Sequence, residues 1–157
     1  MDYIGHDVNY TVTETVFKEF FFDPRYKPSF SQKRLIEAKR LGRKSGQGFY
    51  NYLEKKRNPV PLVNQELGTK IVNRIVCLLI NEAIDACFLN IASEKDIDLA
   101  MTKGVNYPKG LLAWANEKGL TNVLAELEKL FYTYGEDRYR PSPLLKKMEN
   151  EKTEFFS

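Results

Sequence analysis

Two adjacent cations and three glycines that could bind phosphate lie in the stretch Gly42–Tyr52, whose sequence is GRKSGQGFYNY. Backbone N–H groups of a glycine-rich loop can surround a phosphate, but such a loop follows a strand and opens a helix. Here a helical pattern precedes the stretch and an aromatic tail follows it. A structural turn that folds Phe49, Tyr50 and Tyr52 back onto helices is therefore favoured over a nucleotide site.

His6 is the only histidine of the chain and lies between Gly5 and Asp7, just before a predicted helix. A histidine in this position is more often a turn or capping residue than a general base, and that interpretation is favoured. No group of cysteine and histidine residues surrounds it, so the sequence predicts no metal site.

Asn73 lies on the most strongly apolar helix predicted in the chain, with Cys77 and Asn81 one and two turns along the same line. A buried amide usually forms hydrogen bonds with a neighbouring helix or loop. The alternative is an amide that contacts a substrate. The sequence pattern alone leaves both interpretations open.

The composition is that of a soluble globular protein, with 157 residues, 43% hydrophobic and 29% charged. A net charge of +3 permits an anionic ligand but does not indicate nucleic acid. Cys77 and Cys87 lie in an apolar run, which is typical of thiols buried in a reducing compartment. No apolar run is long enough for a membrane span and no signal peptide is apparent, so we expect a cytoplasmic protein.

The apolar periodicity predicts an all-α fold with one short extended piece at Phe49–Tyr52. The predicted helices run over residues 8–22, 29–41 and 66–89, then from Ser93 to Gly104, from Pro108 to Gly119, from Thr121 to Gly135, and after Pro143. Val12, Val16 and Phe20 form one line at helical spacing, on a helix that carries more apolar side chains than one face can bury. We expect Leu124, Leu127 and Phe131 to lie on the inner face of their helix. The segment from Asn58 to Pro61 predicts an extended linker.

An internal repeat is visible, because Arg25-Tyr26-Lys27-Pro28-Ser29 recurs as Arg138-Tyr139-Arg140-Pro141-Ser142, 113 positions later. A helix precedes and follows each copy. Three further predicted helices precede only the second copy. The sequence therefore predicts one and a half modules, with the second half of a first module over residues 1–57 and a complete second module over 58–157. We expect the chain to be a piece of a longer protein.

Several segments, taken in order, resemble the C-terminal helical domain of 3-hydroxyacyl-CoA dehydrogenases. The stretch Gly42–Tyr52 resembles the closing segment of that domain. Its opening helix is similar to Ile71–Arg74 with Asn81–Ala83, and its next two helices are similar to Ala92–Gly104 and Tyr107–Gly110. The segment Gly5–Asn9 resembles the middle of the first copy in bacterial 3-hydroxybutyryl-CoA dehydrogenases that carry the domain in tandem.

The resemblance implies a helical bundle of the 6-phosphogluconate dehydrogenase C-terminal-like type, in an enzyme that oxidises a 3-hydroxyacyl-CoA to a 3-oxoacyl-CoA with NAD. In such enzymes a Rossmann domain binds NAD and supplies the catalytic histidine. The fingerprint of that domain is absent from this sequence. We therefore expect this chain to bind no cofactor and to be inactive alone, with NAD held elsewhere in the parent enzyme.

The resemblance also implies roles for particular residues. Asn73 matches the asparagine that orients the substrate and stabilises its developing charge, while Arg43 and Lys44 are candidates for contact with a CoA phosphate. The helical domain implies an acyl-CoA substrate, a homodimer, and a place in fatty acid β-oxidation or related acyl-CoA metabolism. The alternative is a helical interaction protein that keeps the fold without the chemistry.

Overall fold

The computed structural model describes residues 1–53 and 60–156, which form seven α-helices and two compact units. Unit 1, residues 1–63, contains α1 (His6–Glu19) and α2 (Phe30–Glu37). Unit 2, residues 64–157, contains five helices: α3 (Gln65–Phe88), α4 (Glu94–Leu99), α5 (Leu111–Lys118), α6 (Leu120–Tyr134) and α7 (Pro143–Glu151). The all-α prediction is confirmed. The predicted module boundary between residues 57 and 58, like the first half of the predicted linker, lies outside the described residues.

The core of unit 2 is built around α3, which packs against α5, α6 and α7. Ile80 and Ile84 of α3 are completely buried with Leu112, Leu127 and Leu145 from those three helices. The C-terminal half of this 24-residue helix is surrounded, as the sequence predicted, whereas Val72 and Ile75 of the predicted apolar arc are 59% and 50% exposed. Burial of each large aliphatic side chain is worth about 1.5–3 kcal/mol.

Several helix ends follow the predicted capping chemistry. The Ser93 hydroxyl accepts a hydrogen bond from the Asp96 N–H and begins α4, which continues through a π-helical turn, Ala100–Gly104. Gly135 ends α6 in the left-handed conformation, with φ 61°. The residue that caps α6 is Gly119 rather than Thr121, whose hydroxyl instead contacts Glu149 on α7.

Other predictions about the helices were wrong. Phe131 of α6, which was expected on the inner face with Leu124 and Leu127, is 40% exposed, whereas Leu127 is completely buried. α2 ends at Glu37, short of the predicted Leu41, and α5 starts at Leu111, after Pro108. In place of the extended piece Phe49–Tyr52, the described part of the loop has only isolated bridges, one of which pairs Gln47 with Asn51.

The two copies of the internal repeat have the same backbone structure. In each, a helix is followed by a 3-10 turn, Pro24–Tyr26 or Asp137–Tyr139, and then by a second helix. The first helix of each pair begins after a glycine with positive φ, 110° at Gly5 and 80° at Gly119.

The ends of the second helices match as well. A lysine with φ near 55° follows each helix, with values of 56° at Lys39 and 54° at Lys152. The next N–H in each copy donates back to a carbonyl five residues earlier, from Arg40 to Leu35 at 2.8 Å and from Thr153 to Met148 at 3.1 Å. Because the caps, the turn and their spacing all recur, α1–α2 and α6–α7 are two versions of one helical hairpin.

One buried side chain joins α3 to the hairpin of unit 2. The Asn81 Nδ2 donates to the Arg140 carbonyl at 3.0 Å, and the Asn81 Oδ1 accepts from the Ser142 N–H at 2.8 Å. Both Asn81 and Ser142 are completely buried. This pair of hydrogen bonds, the Asn81 bridge, satisfies two backbone groups that α3 would otherwise shield from water.

Replacing Asn81 with alanine is expected to lower the free energy of unfolding of unit 2 by about 2–4 kcal/mol, because two buried backbone groups lose their partner. Urea denaturation followed by the fluorescence of Trp114, the only tryptophan, measures this loss. Asn73→Ala on the same helix is the matched control and is expected to cost less than about 1 kcal/mol. Equal losses in the two variants would contradict a special role for the bridge.

Candidate functional site

The glycine-rich stretch Gly42–Tyr52 closes around an acidic side chain that sequence analysis did not identify. The Asp2 carboxylate accepts hydrogen bonds from the N–H groups of Phe49 and Tyr50, both at 3.0 Å, and from the Tyr52 hydroxyl at 3.0 Å. The His6 Nε2 contributes a fourth contact at 2.7 Å. The loop therefore does present backbone N–H groups to an anion, but the anion belongs to the protein.

The glycines of this loop are packed against the same residue. A Cβ atom on Gly48 would lie 2.5 Å from the Asp2 Oδ1, and one on Gly42 would lie 2.3 Å from the Asp2 carbonyl oxygen. The glycines thus allow Asp2 to approach, and they leave no space for a phosphate. The structural interpretation of the stretch agrees with this geometry.

The charge of Asp2 is held by its hydrogen bonds. Burial raises the pKa of the Asp2 carboxyl, but the N–H groups of Tyr50 and Phe49, followed by His6 and Tyr52, outweigh burial and lower this pKa to about 2. His6 is completely buried and its ring packs edge-on against Phe49, with the centroids 4.9 Å apart. The histidine is thus part of the framework of unit 1, as its position before α1 predicted.

Arg43 and Lys44, the candidates for a CoA phosphate, also lie in unit 1. The Lys44 ammonium forms an ion pair with Asp7 at 2.5 Å, and the nearby Lys44 lowers the pKa of that carboxyl. The Arg43 guanidinium lies over the rings of Tyr3 and Tyr52, 5.4 and 5.7 Å from their centroids. The two cations lie in the stretch Gly42–Tyr52 that surrounds Asp2, here called the Asp2 loop, whereas Asn73 belongs to unit 2.

Asn73 lies on α3 with its amide at a partly buried position. Its Oδ1 accepts a hydrogen bond from the Lys118 ammonium, 2.7 Å away at the end of α5. Within the described residues, its Nδ2 has no hydrogen-bond partner. The lysine therefore fixes the orientation of the amide, and two N–H donors remain available to a ligand oxygen.

A cavity of about 460 Å³ lies beside Asn73, between α3 and α6. Arg74, the next residue, is held by two aromatic rings, with its guanidinium 4.7 Å from the centroid of Tyr134 and 4.9 Å from that of Tyr139. Lys70 and Lys129 also line the cavity, together with one acidic residue, Glu126. The excess of cations favours an anionic ligand.

The thiols nearby are not activated. Burial raises the pKa of Cys77, an effect that the Lys118 charge partly opposes, and burial raises the pKa of Cys87 as well. Among residues 1–53 and 60–156, no cluster of histidine, cysteine and acidic side chains is arranged to hold a metal ion. Over the same residues, no helix is both long and apolar enough to span a membrane.

Comparison with known proteins identifies the class and then the family. The all-helical fold superposes on the crystal structure of 3-hydroxybutyryl-CoA dehydrogenase from Escherichia coli K12, with a TM-score of 0.80 and 28% identity over 96% of this chain and 50% of that chain. The family model for the 3-hydroxyacyl-CoA dehydrogenase C-terminal domain matches residues 1–52 and 71–153. The chain belongs to this family.

Two curated relatives have related names. The 3-hydroxyadipyl-CoA dehydrogenase of Escherichia coli is 31% identical over 92% of this chain and 48% of its own length. The 3-hydroxybutyryl-CoA dehydrogenase of Clostridioides difficile is 41% identical over 61% of this chain and 34% of its own length. This chain therefore spans half or less of the relatives that it matches.

The family implies NAD, and the described residues of this chain do not fit its pyrophosphate. Such a site needs a glycine-rich turn between a strand and a helix. The one glycine-rich loop in the described residues is filled by Asp2, and no α-helix follows it within residues 1–53.

Replacing Asp2 with asparagine is expected to weaken the loop by about 1.5–3 kcal/mol, because hydrogen bonds to a charged acceptor are lost. Hydrogen exchange at the Phe49 and Tyr50 amides measures this directly. The matched control is Asp7→Asn, which removes an exposed ion pair and is expected to leave the protection of these amides nearly unchanged. Unchanged protection in Asp2→Asn would contradict the assigned contacts.

The same loop is expected to lose stability in acid. Since folding lowers the pKa of Asp2 from 3.8 to about 2, the carboxylate stabilises unit 1 above pH 3.8, and this contribution is lost as the pH falls through about 2. Protection factors of the Phe49 and Tyr50 amides, measured from pH 5 down to 2, are expected to fall in the wild type. Asp2→Asn is expected to remove most of this dependence, and an equally steep fall in that variant would contradict the assignment.

Proposed function

We propose that this chain is the substrate-cleft and dimerisation region of an NAD-dependent 3-hydroxyacyl-CoA dehydrogenase. The proposed reaction converts a 3-hydroxyacyl-CoA into a 3-oxoacyl-CoA, in the cytoplasm and in fatty acid or related acyl-CoA metabolism. Family membership and the names of the relatives support this proposal. The single observation that carries it is the amide of Asn73, held by Lys118, beside a cavity whose lining has three cations and one acidic residue.

Asn73 is proposed to bind the oxygen on carbon 3 of the substrate. As the hydroxyl becomes a carbonyl during oxidation, or the reverse during reduction, negative charge develops on this oxygen and is stabilised by a fixed N–H donor. Lys118 contributes by holding the Oδ1 of the amide at 2.7 Å, so the donors need no reorientation during the reaction. NAD supplies or accepts the hydride when bound elsewhere in the enzyme.

Arg43 and Lys44 are proposed to contact a CoA phosphate at the surface of unit 1. Both are exposed, and the guanidinium of Arg43 lies over the rings of Tyr3 and Tyr52. The ion pair of Lys44 with Asp7 reduces the charge that this residue offers. Arg43 is accordingly the stronger phosphate ligand of the two, since it also presents a planar set of donors.

The module interpretation is retained as a proposal, with residues 1–57 as the second half of a first module and 58–157 as a complete second module. The recurrence of one helical hairpin in both units supports it. Since α3 and α5 pack with the hairpin only in unit 2, unit 1 leaves much of its hairpin uncovered.

Asn73→Ala, made in the dehydrogenase that joins this chain to its NAD-binding domain, is expected to lower the turnover number about 10- to 1,000-fold, because a transition-state donor is lost. Steady-state oxidation of 3-hydroxybutyryl-CoA measures the effect, and thermal melting is expected to change little. Gln65→Ala, at the exposed start of α3, is the control and is expected to leave turnover unchanged.

A purely structural role of Asn73 predicts a different outcome for the same variant. If Asn73 serves only to join α3 to α5 through Lys118, the alanine variant melts earlier while the folded fraction keeps its full turnover. That result would contradict the catalytic role. It would also favour a helical interaction protein that has kept the fold alone.

A homodimer is proposed because unit 1 exposes a cluster of aromatic side chains. Phe21 and Phe22 are 93% and 61% exposed at the end of α1, and Phe49 is 58% exposed in the Asp2 loop. Exposed aromatic rings of this size are typical of protein interfaces. We expect a symmetric dimer with these rings near the contact, seen as concentration-dependent sedimentation at micromolar protein.

Phe21→Asn is expected to weaken the dimer about tenfold or more, because a fully exposed ring is removed where asparagine tolerates the positive φ of 53°. The control is Tyr132→Asn, which removes an equally exposed ring, 94%, from α6 in unit 2. A wild-type chain that sediments as a monomer at every concentration would refute the dimer, and equal effects of the two variants would refute the location.

A further inference from the structure

The hairpin of unit 1 has an open counterpart of the Asn81 bridge. Counting from Arg25 and Arg138, the Lys27 carbonyl and the Ser29 N–H occupy the positions of the Arg140 carbonyl and the Ser142 N–H. Within residues 1–53 these two backbone groups have no hydrogen-bond partner. Ser29 is exposed, whereas Ser142 is completely buried beneath α3. The hairpin of unit 1 thus presents the same two groups that Asn81 binds in unit 2.

The face beside these groups differs from its counterpart in unit 2. Counting from Gly5 and Gly119, Asn9 and Thr13 of α1 occupy the positions of Val123 and Leu127. Counting from Arg25 and Arg138, Gln32 of α2 occupies the position of Leu145. The three residues in unit 2 are completely buried aliphatic side chains that pack with α3. Three polar residues therefore replace the aliphatic centre of the hairpin.

The polar residues interact with one another across the hairpin. The Gln32 Nε2 donates to the Asn9 Oδ1 at 2.8 Å, and this contact joins α2 to α1 where the aliphatic pair of unit 2 would lie. The pair leaves the Asn9 Nδ2 and the Gln32 Oε1 available, since neither has a partner within residues 1–53. Burial of these groups beneath an aliphatic helix face would leave them unsatisfied, at a cost of about 1–3 kcal/mol each.

We infer that this face, the unit 1 seat (Asn9, Thr13, Gln32 and the backbone of Lys27–Ser29), binds an amphipathic helix that comes from outside this chain and is not α3. The occupant carries an asparagine that bridges the Lys27 carbonyl and the Ser29 N–H. It also carries hydrogen-bonding side chains where α3 has Ile80 and Ile84. The inference rests on the internal repeat and does not depend on the proposed activity.

The choice of occupant follows from the structure of unit 2 and from the length of a similar solved structure. Unit 2 shows how a helix with an asparagine lies on this hairpin, through the two hydrogen bonds of Asn81. The solved structure that superposes on 96% of this chain is twice as long, since only 50% of it is covered. The polar pair gives specificity, because it penalises α3 of the same or a second chain and so keeps the two repeats from exchanging helices.

The test uses two peptides derived from α3, residues 64–90, as probes for the full chain. The first has the native sequence, and the second replaces both Ile80 and Ile84 with glutamine while keeping Asn81. Each is labelled and titrated by fluorescence anisotropy, under reducing conditions, with the wild-type chain and with Asn9→Val/Gln32→Leu. The double variant gives unit 1 the aliphatic pair of unit 2.

The expected result is an exchange of preference. The wild type is expected to bind the glutamine peptide about tenfold more tightly than the native one, and the double variant is expected to reverse this order. Equal affinities of the wild type for the two peptides, an unchanged order in the double variant, or no measurable binding in any combination would overturn the inference.

A second pair of changes tests the asparagine bridge. Ser29→Pro removes the N–H donor, and proline fits the φ of −77° at this position, so α2 is expected to keep its fold, as circular dichroism checks. This variant and an Asn81→Ala change in the glutamine peptide are each expected to weaken binding at least fivefold, and to give no further loss when combined. Independent, additive losses would show that the asparagine binds elsewhere and would overturn the bridge.

Discussion

The Asn81 bridge is the contact on which the arrangement of unit 2 depends. It fixes α3 along its own axis, because one amide must reach both the Arg140 carbonyl and the Ser142 N–H inside a core that excludes water. Asn73 lies two turns earlier on the same helix, about 12 Å along the axis. A rigid helix held at Asn81 therefore also places Asn73 beside Lys118 and among the residues that line the cavity.

In unit 1 a buried charge, the carboxylate of Asp2, holds the loop in place. Its closing loop contains glycines whose backbone could surround a phosphate, and the carboxylate of Asp2 occupies that position instead. Burial raises the pKa of this carboxyl, but its four hydrogen-bond partners outweigh burial and lower the pKa to about 2. A loop with the composition of a ligand site is thus a means of closing the hairpin on itself.

The sequence predicted features that depend on local chemistry. The extent of α3 follows from its apolar arc, the start of α4 from Ser93, the end of α6 from Gly135, and the hairpin repeat from two five-residue segments. The exposure of Phe131 could not be predicted from its spacing, because burial depends on whether another helix covers that face. The roles of Asp2 and Lys118 were not predicted either, because each binds residues that lie about 45 or more positions away in the sequence.

The central claim is that Asn73 contacts the acyl-CoA ligand, and the side-chain amide resonances of the chain test it most directly. Titration of uniformly ¹⁵N-labelled protein with acetoacetyl-CoA is expected to shift the Nδ2 resonances of Asn73, which faces the cavity. The Nδ2 resonances of Asn81, whose hydrogen bonds are already formed within the core, are expected to stay in place. Shifts that leave Asn73 unchanged, or no shifts at saturating ligand, would contradict the claim.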